Sequence, residues 1–155
     1  MKQLLLLRHG ESSFSKGRDF ERQLTSLGRQ KLIRLGENIK NLEFSVDLMY
    51  CSTAHRTLET AKLIENYMLI KESVYTKEIY DGDLHKMIEL LEKTSNSVDS
   101  CLVIGHNPVI SFLLSHITLE SYLGLDPGML AVVELQLDDW MMIGKGTGSL
   151  LELIQ

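Results

Sequence analysis

The stretch LLLLRHGESS, residues 4 to 13, sets four leucines directly before an arginine, a histidine and a glycine. A short run of large apolar residues is typical of a strand that is buried on both faces, as in a parallel sheet covered by helices. Such a strand ends where the polar residues begin. We therefore predict a buried central strand over Gln3 to Leu7, with Arg8 and His9 at its carboxyl end.

Short apolar runs alternate with longer segments of helical period along the chain. The further predicted strands cover residues 46–50, 74–76 and 101–104. The predicted helices follow Thr25 or Ser26, begin near Ala54, begin near Leu84 and follow Gly105. This alternation is typical of a sheet that helices cover on both faces.

The tail of the chain follows a different pattern. Residues 129–137 alternate between apolar and more polar types, and SLLELI at residues 149–154 is predicted to pair with them as a hairpin across IGKGTG. We therefore predict an α/β fold: a three-layer α/β/α sandwich with a mostly parallel central sheet and an antiparallel C-terminal edge. Residues 1–155 are predicted to form one domain.

The composition restricts the classes of function. A chain of 155 residues with 44% hydrophobic residues suits one globular domain, and its formal net charge of -5 argues against general nucleic-acid binding. Cys51 and Cys101 lie in apolar runs, so we predict buried, reduced thiols that suit a reducing cytosol. No apolar run reaches the ~18 residues of a membrane helix. We expect a cytoplasmic protein with no membrane segment, and we predict no particular oligomeric state.

Three predicted strands end in residues that suit a phosphate site. Arg8 and His9 follow the first strand, Arg56 lies in the first helical turn after the second, and His106 lies in the GHNP segment after residues 101–104. Ligands of open α/β sheets bind outside the carboxyl ends of the strands. Two arginines and two histidines are therefore expected in one crevice, where guanidinium groups match phosphate oxygens in pairs.

These residues, in this order, resemble the histidine phosphatase superfamily, which is phosphoglycerate-mutase-like, and especially its short SixA-like phosphohistidine phosphatases. The resemblance spans most of the first 115 residues, and the tail DPGMLAVVELQLDDW also looks like the short branch. It rests on the RHG motif Arg8-His9-Gly10, on Arg22 with LTSLG, on Ser52, Arg56, Thr57, Thr60 and Ala61, and on VIGHNP at residues 103–108.

The resemblance implies a role for each of the four central residues. His9 would be the nucleophile, forming a phosphohistidine that water then hydrolyses. Its ring would have to be neutral, a state that the surrounding cations favour, and a backbone carbonyl would fix the tautomer. Arg8, Arg56 and His106 would hold the three non-bridging oxygens. No metal and no other cofactor is implied, and we find no carboxylate cluster or histidine pair at ligand spacing.

A general acid for the leaving group is expected in KEIYDGDLHK, the segment after the third predicted strand. Glu78, Asp81 and Asp83 are the candidates, and we favour Asp81 because IYDGDLHKMIELL resembles the tyrosine-acid stretch of the short branch. The alternative for each carboxylate is a solvated loop residue or a helix cap.

Three further residues are candidates for substrate binding. Ser15 stands where mutase-like members commonly carry asparagine, which weakens a mutase interpretation but leaves one hydrogen-bond donor for phosphate. Arg22 is expected either to contact substrate at the rim or to form a salt bridge with an acid such as Asp19. Asn107 is expected either to contact the site or to cap the helix begun by Pro108.

The favoured function is that of a metal-independent phosphatase that acts through phosphohistidine on His9. Its expected partner is a phosphorylated protein, such as a phosphohistidine carrier domain, or a small phosphorylated metabolite. The alternatives are a small-molecule phosphomonoester phosphatase of the same superfamily and a non-catalytic phosphate-recognising domain. An intact His9 with a candidate acid favours an enzyme, because a binding module needs no nucleophile.

Overall fold

The computed structural model describes residues 1–14 and 17–155 and contains a six-stranded sheet in the order β3-β2-β4-β1-β5-β6. The strands are β1 Lys2–Arg8, β2 Ser45–Ser52, β3 Leu69–Thr76, β4 Ser100–Gly105, β5 Leu130–Leu135 and β6 Gly148–Ile154. The helices are α1 Ser26–Lys40, α2 His55–Ile64, α3 Glu78–Asp81, α4 Leu84–Glu92 and α5 Val109–Thr118, with short 3-10 turns at Asp19–Glu21 and Trp140–Met142.

The first four strands of the chain pair in parallel, whereas the last two strands are joined to the sheet by antiparallel pairings. β1 and β2 both pair with β4 in parallel, β3 pairs with β2 in parallel, and β5 and β6 extend the sheet antiparallel beyond β1. Arg8 lies opposite Gly105 and Cys51 lies opposite Ile104, so three neighbouring strands end at one edge of the sheet. The predicted mixed sheet with an antiparallel C-terminal edge is confirmed.

The four leucines of β1 serve both hydrophobic cores. Leu4 and Leu6 pack in the cluster on the side of α4 and α5, whereas Leu5 and Leu7 pack in the cluster on the side of α1 and α2. All four are at most 1% exposed. Strand residues alternate between the two faces of a sheet, so a continuous leucine run requires helices on both faces. The three-layer arrangement follows directly from the opening stretch.

The structure extends two of the predicted elements. β3 begins at Leu69 rather than at Val74, because it is an edge strand whose charged residues, such as Glu72, interrupt the apolar pattern. The β5–β6 hairpin is present, but its connection is longer than IGKGTG and includes the turn at Trp140–Met142. Trp140 is fully buried, and its Nε1–H donates to the carbonyl of Val98 at 2.7 Å.

Both cysteines are buried and free, as predicted. Burial raises the pKa of the Cys51 thiol to about 12 and raises the pKa of Cys101 as well, so neither forms a thiolate near neutral pH. Across residues 1–14 and 17–155, no helix is both long enough and apolar enough to cross a bilayer.

Candidate active site

A cavity of about 630 Å³ opens where β1, β2 and β4 end. It brings together seven of the eight site residues that the sequence predicts, together with three others. The lining residues are Arg8, His9, Phe14, Asp19, Arg22, Arg56, Tyr80, Asp81, His106 and Asn107. Ser15, which the sequence predicts as a substrate-binding residue, lies outside the described residues.

His9 directly follows β1 and is 7% exposed. Its Nδ1 lies 2.7 Å from the carbonyl oxygen of Gly10, and because a carbonyl only accepts hydrogen bonds, Nδ1 carries the proton of the neutral ring. The lone pair is therefore on Nε2, the atom that faces Nε–H of Arg56 at 3.4 Å. Both contacts assign the same tautomer, the one expected when a backbone carbonyl orients the ring.

The protonation state of His9 also suits a nucleophile. The pKa of His9 is lowered to about 4, chiefly by burial and also by the positive charges of Arg56, Arg8 and Arg22, whereas the Gly10 hydrogen bond opposes the shift. The ring is neutral near pH 7. The sequence predicts this state from the surrounding cations, but desolvation is the larger cause.

The segment after β1 is fixed from two sides. The N–H of Gly10 donates to Oγ1 of Thr60 on α2 at 3.1 Å, and the N–H of His9 donates to the carbonyl of Gly105 at 3.1 Å. A Cβ atom at Gly10 would lie 2.7 Å from Cδ1 of buried Leu32, so glycine allows the close approach to α1. His9 and Gly10 are therefore held by hydrogen bonds from their main-chain N–H groups to neighbouring elements.

Arg56 lies in the first turn of α2, is 5% exposed and contacts Asp19 twice. Its Nη1 donates to the carbonyl of Asp19 at 2.8 Å, and its Nη2 donates to Oδ2 of Asp19 at 3.1 Å. These bonds, together with the contact to His9, fix the plane of the guanidinium beside the His9 ring.

Asp19 makes more contacts in the site than the sequence analysis predicts, which names it only as a salt-bridge partner of Arg22. Its carboxylate accepts hydrogen bonds from Tyr80 Oη at 2.7 Å, Arg22 Nη1 at 3.0 Å and Arg56 Nη2 at 3.1 Å. These donors hold the pKa of Asp19 well below its usual range, with the Tyr80 bond as the largest cause. Asp19 is therefore an ionised anchor, and it does not supply protons at neutral pH.

Arg22 forms the salt bridge to Asp19 at 3.0 Å, which is one of its two sequence alternatives, and it also lines the cavity; a contact to substrate stays a prediction. It also donates to the carbonyl of Ser13 and to the hydroxyl of Ser12. Its guanidinium carbon lies 4.5 Å from the ring centroid of Phe14, which is 92% exposed at the rim.

Arg8, at the end of β1, donates from Nη1 to the carbonyl of Leu125 at 2.9 Å. Its Nε is buried and has no hydrogen-bond partner among the described residues. Burial lowers the pKa of Arg8, but an arginine stays charged at working pH, so Arg8 adds a third positive charge to the cavity.

His106 follows β4, with its ring centroid 5.2 Å from that of His9. Its Nε2 lies 2.7 Å from Oγ of Ser52, whereas its Nδ1 is buried with no partner among the described residues. The pKa of His106 is lowered to about 3, chiefly by burial and also by His9 and Arg56. Two neutral imidazoles therefore lie side by side in a site that contains three arginines.

The three candidate acids occupy different positions. Asp83 caps α4, since its carboxylate accepts the N–H of Lys86 at 3.0 Å, which is the helix-cap alternative. Glu78 lines a neighbouring cavity. Asp81 lines the site cavity, is largely exposed, and lies 3.8 Å from Nζ of Lys77.

Asn107 lines the cavity and holds a neighbouring loop. Its Nδ2 donates to the carbonyl of Leu125 at 3.0 Å, and its Oδ1 accepts a bond from Oγ of Ser111 at 2.6 Å. The helix-cap alternative is not seen, because α5 begins at Val109 with Pro108 as its N-cap and without a side-chain capping bond.

The sequence missed Tyr80 and the full contact set of Asp19, and it left Ser52 without a role. Tyr80 lies directly before Asp81, in the segment in which the sequence predicts a general acid. Asp19 contacts Arg56 and Tyr80 because the 3-10 turn at Asp19–Glu21 places it beside them, and no sequence pattern indicates this placement. Among the described residues, no group of three or more histidine, cysteine, aspartate or glutamate side chains is placed to hold a metal ion.

Comparison with known proteins gives consistent results. Residues 4–93 match the family profile of the histidine phosphatase superfamily (branch 1). An uncharacterized protein of Mycobacterium leprae is 28% identical over 111 residues, a match that spans 68% of this chain and 66% of that relative. The protein histidine phosphatase SixA in complex with tungstate superposes with a TM-score of 0.85 at 22% identity, over 99% of this chain and 96% of that chain.

A SixA structure from Nakamurella multipartitia superposes with a TM-score of 0.81 at 23% identity, covering 98% of this chain and 94% of that chain. At these identities the two structures establish the fold, and the family profile, which spans more than half of the chain, establishes the family. The chain therefore belongs to the histidine phosphatase superfamily, and it is a phosphatase of that superfamily.

Proposed function

We propose that this protein hydrolyses phosphohistidine in a phosphorylated protein through a phosphohistidine intermediate on Nε2 of His9. The observation that carries the proposal is the 2.7 Å bond from Nδ1 of His9 to the carbonyl of Gly10. It leaves the lone pair on Nε2 of a buried, neutral ring inside a cavity that three arginines line. An uncharged imidazole nitrogen with a fixed lone pair is a competent nucleophile for phosphorus.

In the first step Nε2 of His9 attacks phosphorus in line. The P–Nε2 bond forms, the bond to the leaving nitrogen or oxygen breaks, and the leaving atom takes the electron pair. Nδ1–H of His9 keeps its hydrogen bond to the Gly10 carbonyl, and this bond stabilises the positive charge that the ring gains. In the second step water attacks the phosphohistidine and releases inorganic phosphate.

The positive charges of the cavity stabilise the transferring phosphoryl group. Arg56 has five N–H donors, of which Asp19 takes two, so donors remain for phosphoryl oxygens beside the nucleophile. Arg8 and His106 contribute the unpaired Nε and Nδ1 positions. Preorganised donors of this kind replace the charge that a metal ion supplies in other phosphatases, so we propose a metal-independent reaction.

The leaving group decides how much proton donation the reaction needs. Asp19 is ionised and held by three donors, so the proposed proton donor is Asp81, the candidate acid that lines the cavity. An imidazole is a better leaving group than an alkoxide and requires less help from an acid. A site whose proposed proton donor is a largely exposed carboxyl therefore suits phosphohistidine better than an unactivated phosphate ester.

The surroundings of the cavity suit a side chain presented by another protein. Phe14, Phe20 and Tyr80 form an aromatic rim, in which the Phe20 and Tyr80 rings lie edge to face with centroids 5.0 Å apart. A planar imidazole can pack against such rings. The fold it shares with a protein histidine phosphatase supports the same substrate class. We propose that the partner is a phosphohistidine carrier domain and, since Cys51 and Cys101 are free, that the reaction takes place in the cytoplasm.

The experiment compares two substrates and two variants. The purified protein is mixed separately with a phosphohistidine carrier domain and with an aryl phosphate, and phosphate release is measured. We expect fast release from the carrier, its loss in His9→Ala, and full activity in His85→Ala, an exposed control histidine on α4. Turnover of the aryl phosphate alone would transfer the assignment to small phosphorylated metabolites. Binding without turnover of either would indicate a phosphate-recognising domain.

A further inference from the structure

Ser52 ends β2 directly behind His106 and is completely buried. Its Oγ lies 2.7 Å from Nε2 of His106 and accepts the N–H of Ala54 at 3.3 Å. Ala54 is the N-cap of α2, the helix that carries Arg56. One hydroxyl therefore connects the end of a central strand, the start of a helix and a histidine of the site.

The hydrogen-bond capacities of these atoms distinguish two arrangements. If the ring proton of His106 is on Nε2, it donates to Ser52, and then the hydroxyl proton of Ser52 finds no acceptor and the buried lone pair on Nδ1 finds no donor among the described residues. If the ring proton is on Nδ1, Ser52 accepts from Ala54 and donates to Nε2, so the Nδ1–H group alone lacks a partner in the described part of the chain.

The second arrangement has the lower free energy, because it leaves one buried polar group without a partner instead of two, and each such group keeps the cost of its desolvation. A serine hydroxyl carries one proton and accepts through its lone pairs, so it suits the contacts to Ala54 and His106 at once. The low pKa of His106 supports a neutral ring with a single proton to place.

We propose that Ser52 is a positioning residue that holds His106 in the tautomer with its proton on Nδ1, so that Nδ1–H is the donor kept for a phosphoryl oxygen. The inference rests on the proposed function for its catalytic consequence, but not for the tautomer itself. It gives a role to a buried hydroxyl and to an unpaired nitrogen that the reaction at His9 leaves unexplained.

The tautomer decides whether His106 attracts or repels the substrate. A neutral imidazole that offers N–H stabilises negative charge on a phosphoryl oxygen, whereas the other tautomer would offer a lone pair and repel it. His9 is also protonated on Nδ1, but there Nδ1–H donates its hydrogen bond to the Gly10 carbonyl, and Nε2 carries the lone pair of the proposed nucleophile. The neighbouring rings thus share one tautomer and expose opposite functions, a lone pair on His9 and a donor on His106.

The test is the NMR spectrum of the protein labelled with 15N at histidine. Long-range correlations between ring protons and ring nitrogens distinguish the two tautomers of each histidine near neutral pH. We expect His106 to carry its proton on Nδ1 in the native protein and to populate the Nε2–H tautomer in Ser52→Ala. Thr94→Val removes another buried hydroxyl, one that bonds Tyr50 away from the site, and should leave the His106 signals unchanged.

Turnover gives the second readout. Ser52→Ala should lower kcat/KM by roughly 10- to 100-fold, somewhat less than the full loss of a transition-state donor, and Ser52→Thr, which keeps the hydroxyl, should restore most of it. A proton on Nε2 of His106 in the native protein, or an unchanged tautomer in Ser52→Ala, would overturn the proposal. If the tautomers are as expected but no phosphorylated substrate is turned over, the Ser52 assignment stands and the proposed function fails.

Discussion

Asp19 binds both terminal nitrogens of Arg56: its carbonyl accepts from Nη1 at 2.8 Å and its carboxylate accepts from Nη2 at 3.1 Å. The same guanidinium lies with Nε 3.4 Å from Nε2 of His9. An acidic residue therefore orients the arginine closest to His9, the proposed nucleophile. Its carboxylate orders Arg56, and we expect it to repel a bound phosphate.

Asp19→Asn separates these two effects. Removing the negative charge should make inorganic phosphate a stronger inhibitor, by up to about fivefold for a partly exposed pair. The same change should lower kcat, since Arg56 and Arg22 lose a charged partner. The inhibition constant and kcat are measured side by side, with Glu21→Gln in the same exposed turn as the control. Weaker inhibition by phosphate would contradict the repulsive contribution.

Arg56→Lys tests the need for a planar, multidentate cation. Lysine keeps the charge but loses Nε and the paired geometry at Asp19 and His9, so kcat/KM should fall by roughly 100- to 1,000-fold while the fold is retained. Steady-state kinetics and circular dichroism together measure this. Arg34→Lys on the exposed face of α1 is the matched control and should behave like the native protein. Near-native kinetics in Arg56→Lys would show that charge alone suffices.

The buried histidines should make stability depend on pH. The pKa of His9 is about 4 in the fold, against 6.5 for an unperturbed histidine, so between these values the unfolded chain binds more protons than the folded one. The free energy of unfolding should therefore fall as pH falls through this window, by up to about 1.4 kcal/mol per pH unit from His9. His9→Gln should lose this contribution in urea titrations at several pH values. His85→Gln, in an exposed position, should keep it; equal slopes in both variants would refute the assignment.

Leu5→Ala tests the central strand. Leu5 is completely buried in the cluster on the side of α1 and α2, so the cavity left behind should lower the free energy of unfolding by about 2–5 kcal/mol. Urea unfolding measures the loss. Leu27→Ala, at a half-exposed position on α1, should lower the free energy of unfolding far less. A small effect of Leu5→Ala would mean that the strand is not the centre of the core.

Much of the fold and of the site was predictable because it depends on local pattern. The leucine run of β1 is followed by Arg8 and His9, and the apolar run of β4 is followed by Gly105 and His106. Parallel neighbouring strands place such carboxyl ends at the same edge of the sheet. The extent of β3 was not predictable in this way. An edge strand owes its existence to hydrogen bonds with β2, and its exposed residues need not be apolar.

The contacts of Asp19, Tyr80 and Ser52 depend on tertiary placement. Asp19 is separated by 37 positions from Arg56 and by 61 from Tyr80, so no spacing in the sequence reports their contact. Ser52 matched the family pattern, but only the structure brings its hydroxyl to His106. The roles of Arg8, His9, Arg56, His106 and Asp81 in the reaction stay predictions, of which His9→Ala and Arg56→Lys test two directly.

We predict that Nε2 of His9 forms the bond to phosphorus. The most direct measurement is to mix the protein with a phosphohistidine carrier domain, quench within milliseconds, digest at alkaline pH, and identify the phosphorylated residue and its isomer by mass spectrometry against authentic standards. The structure predicts phosphate on His9 as 3-phosphohistidine, in which phosphorus is on Nε2, because Nδ1 is bound to the Gly10 carbonyl. The 1-phosphohistidine isomer on His9, or label on another residue, would contradict the account.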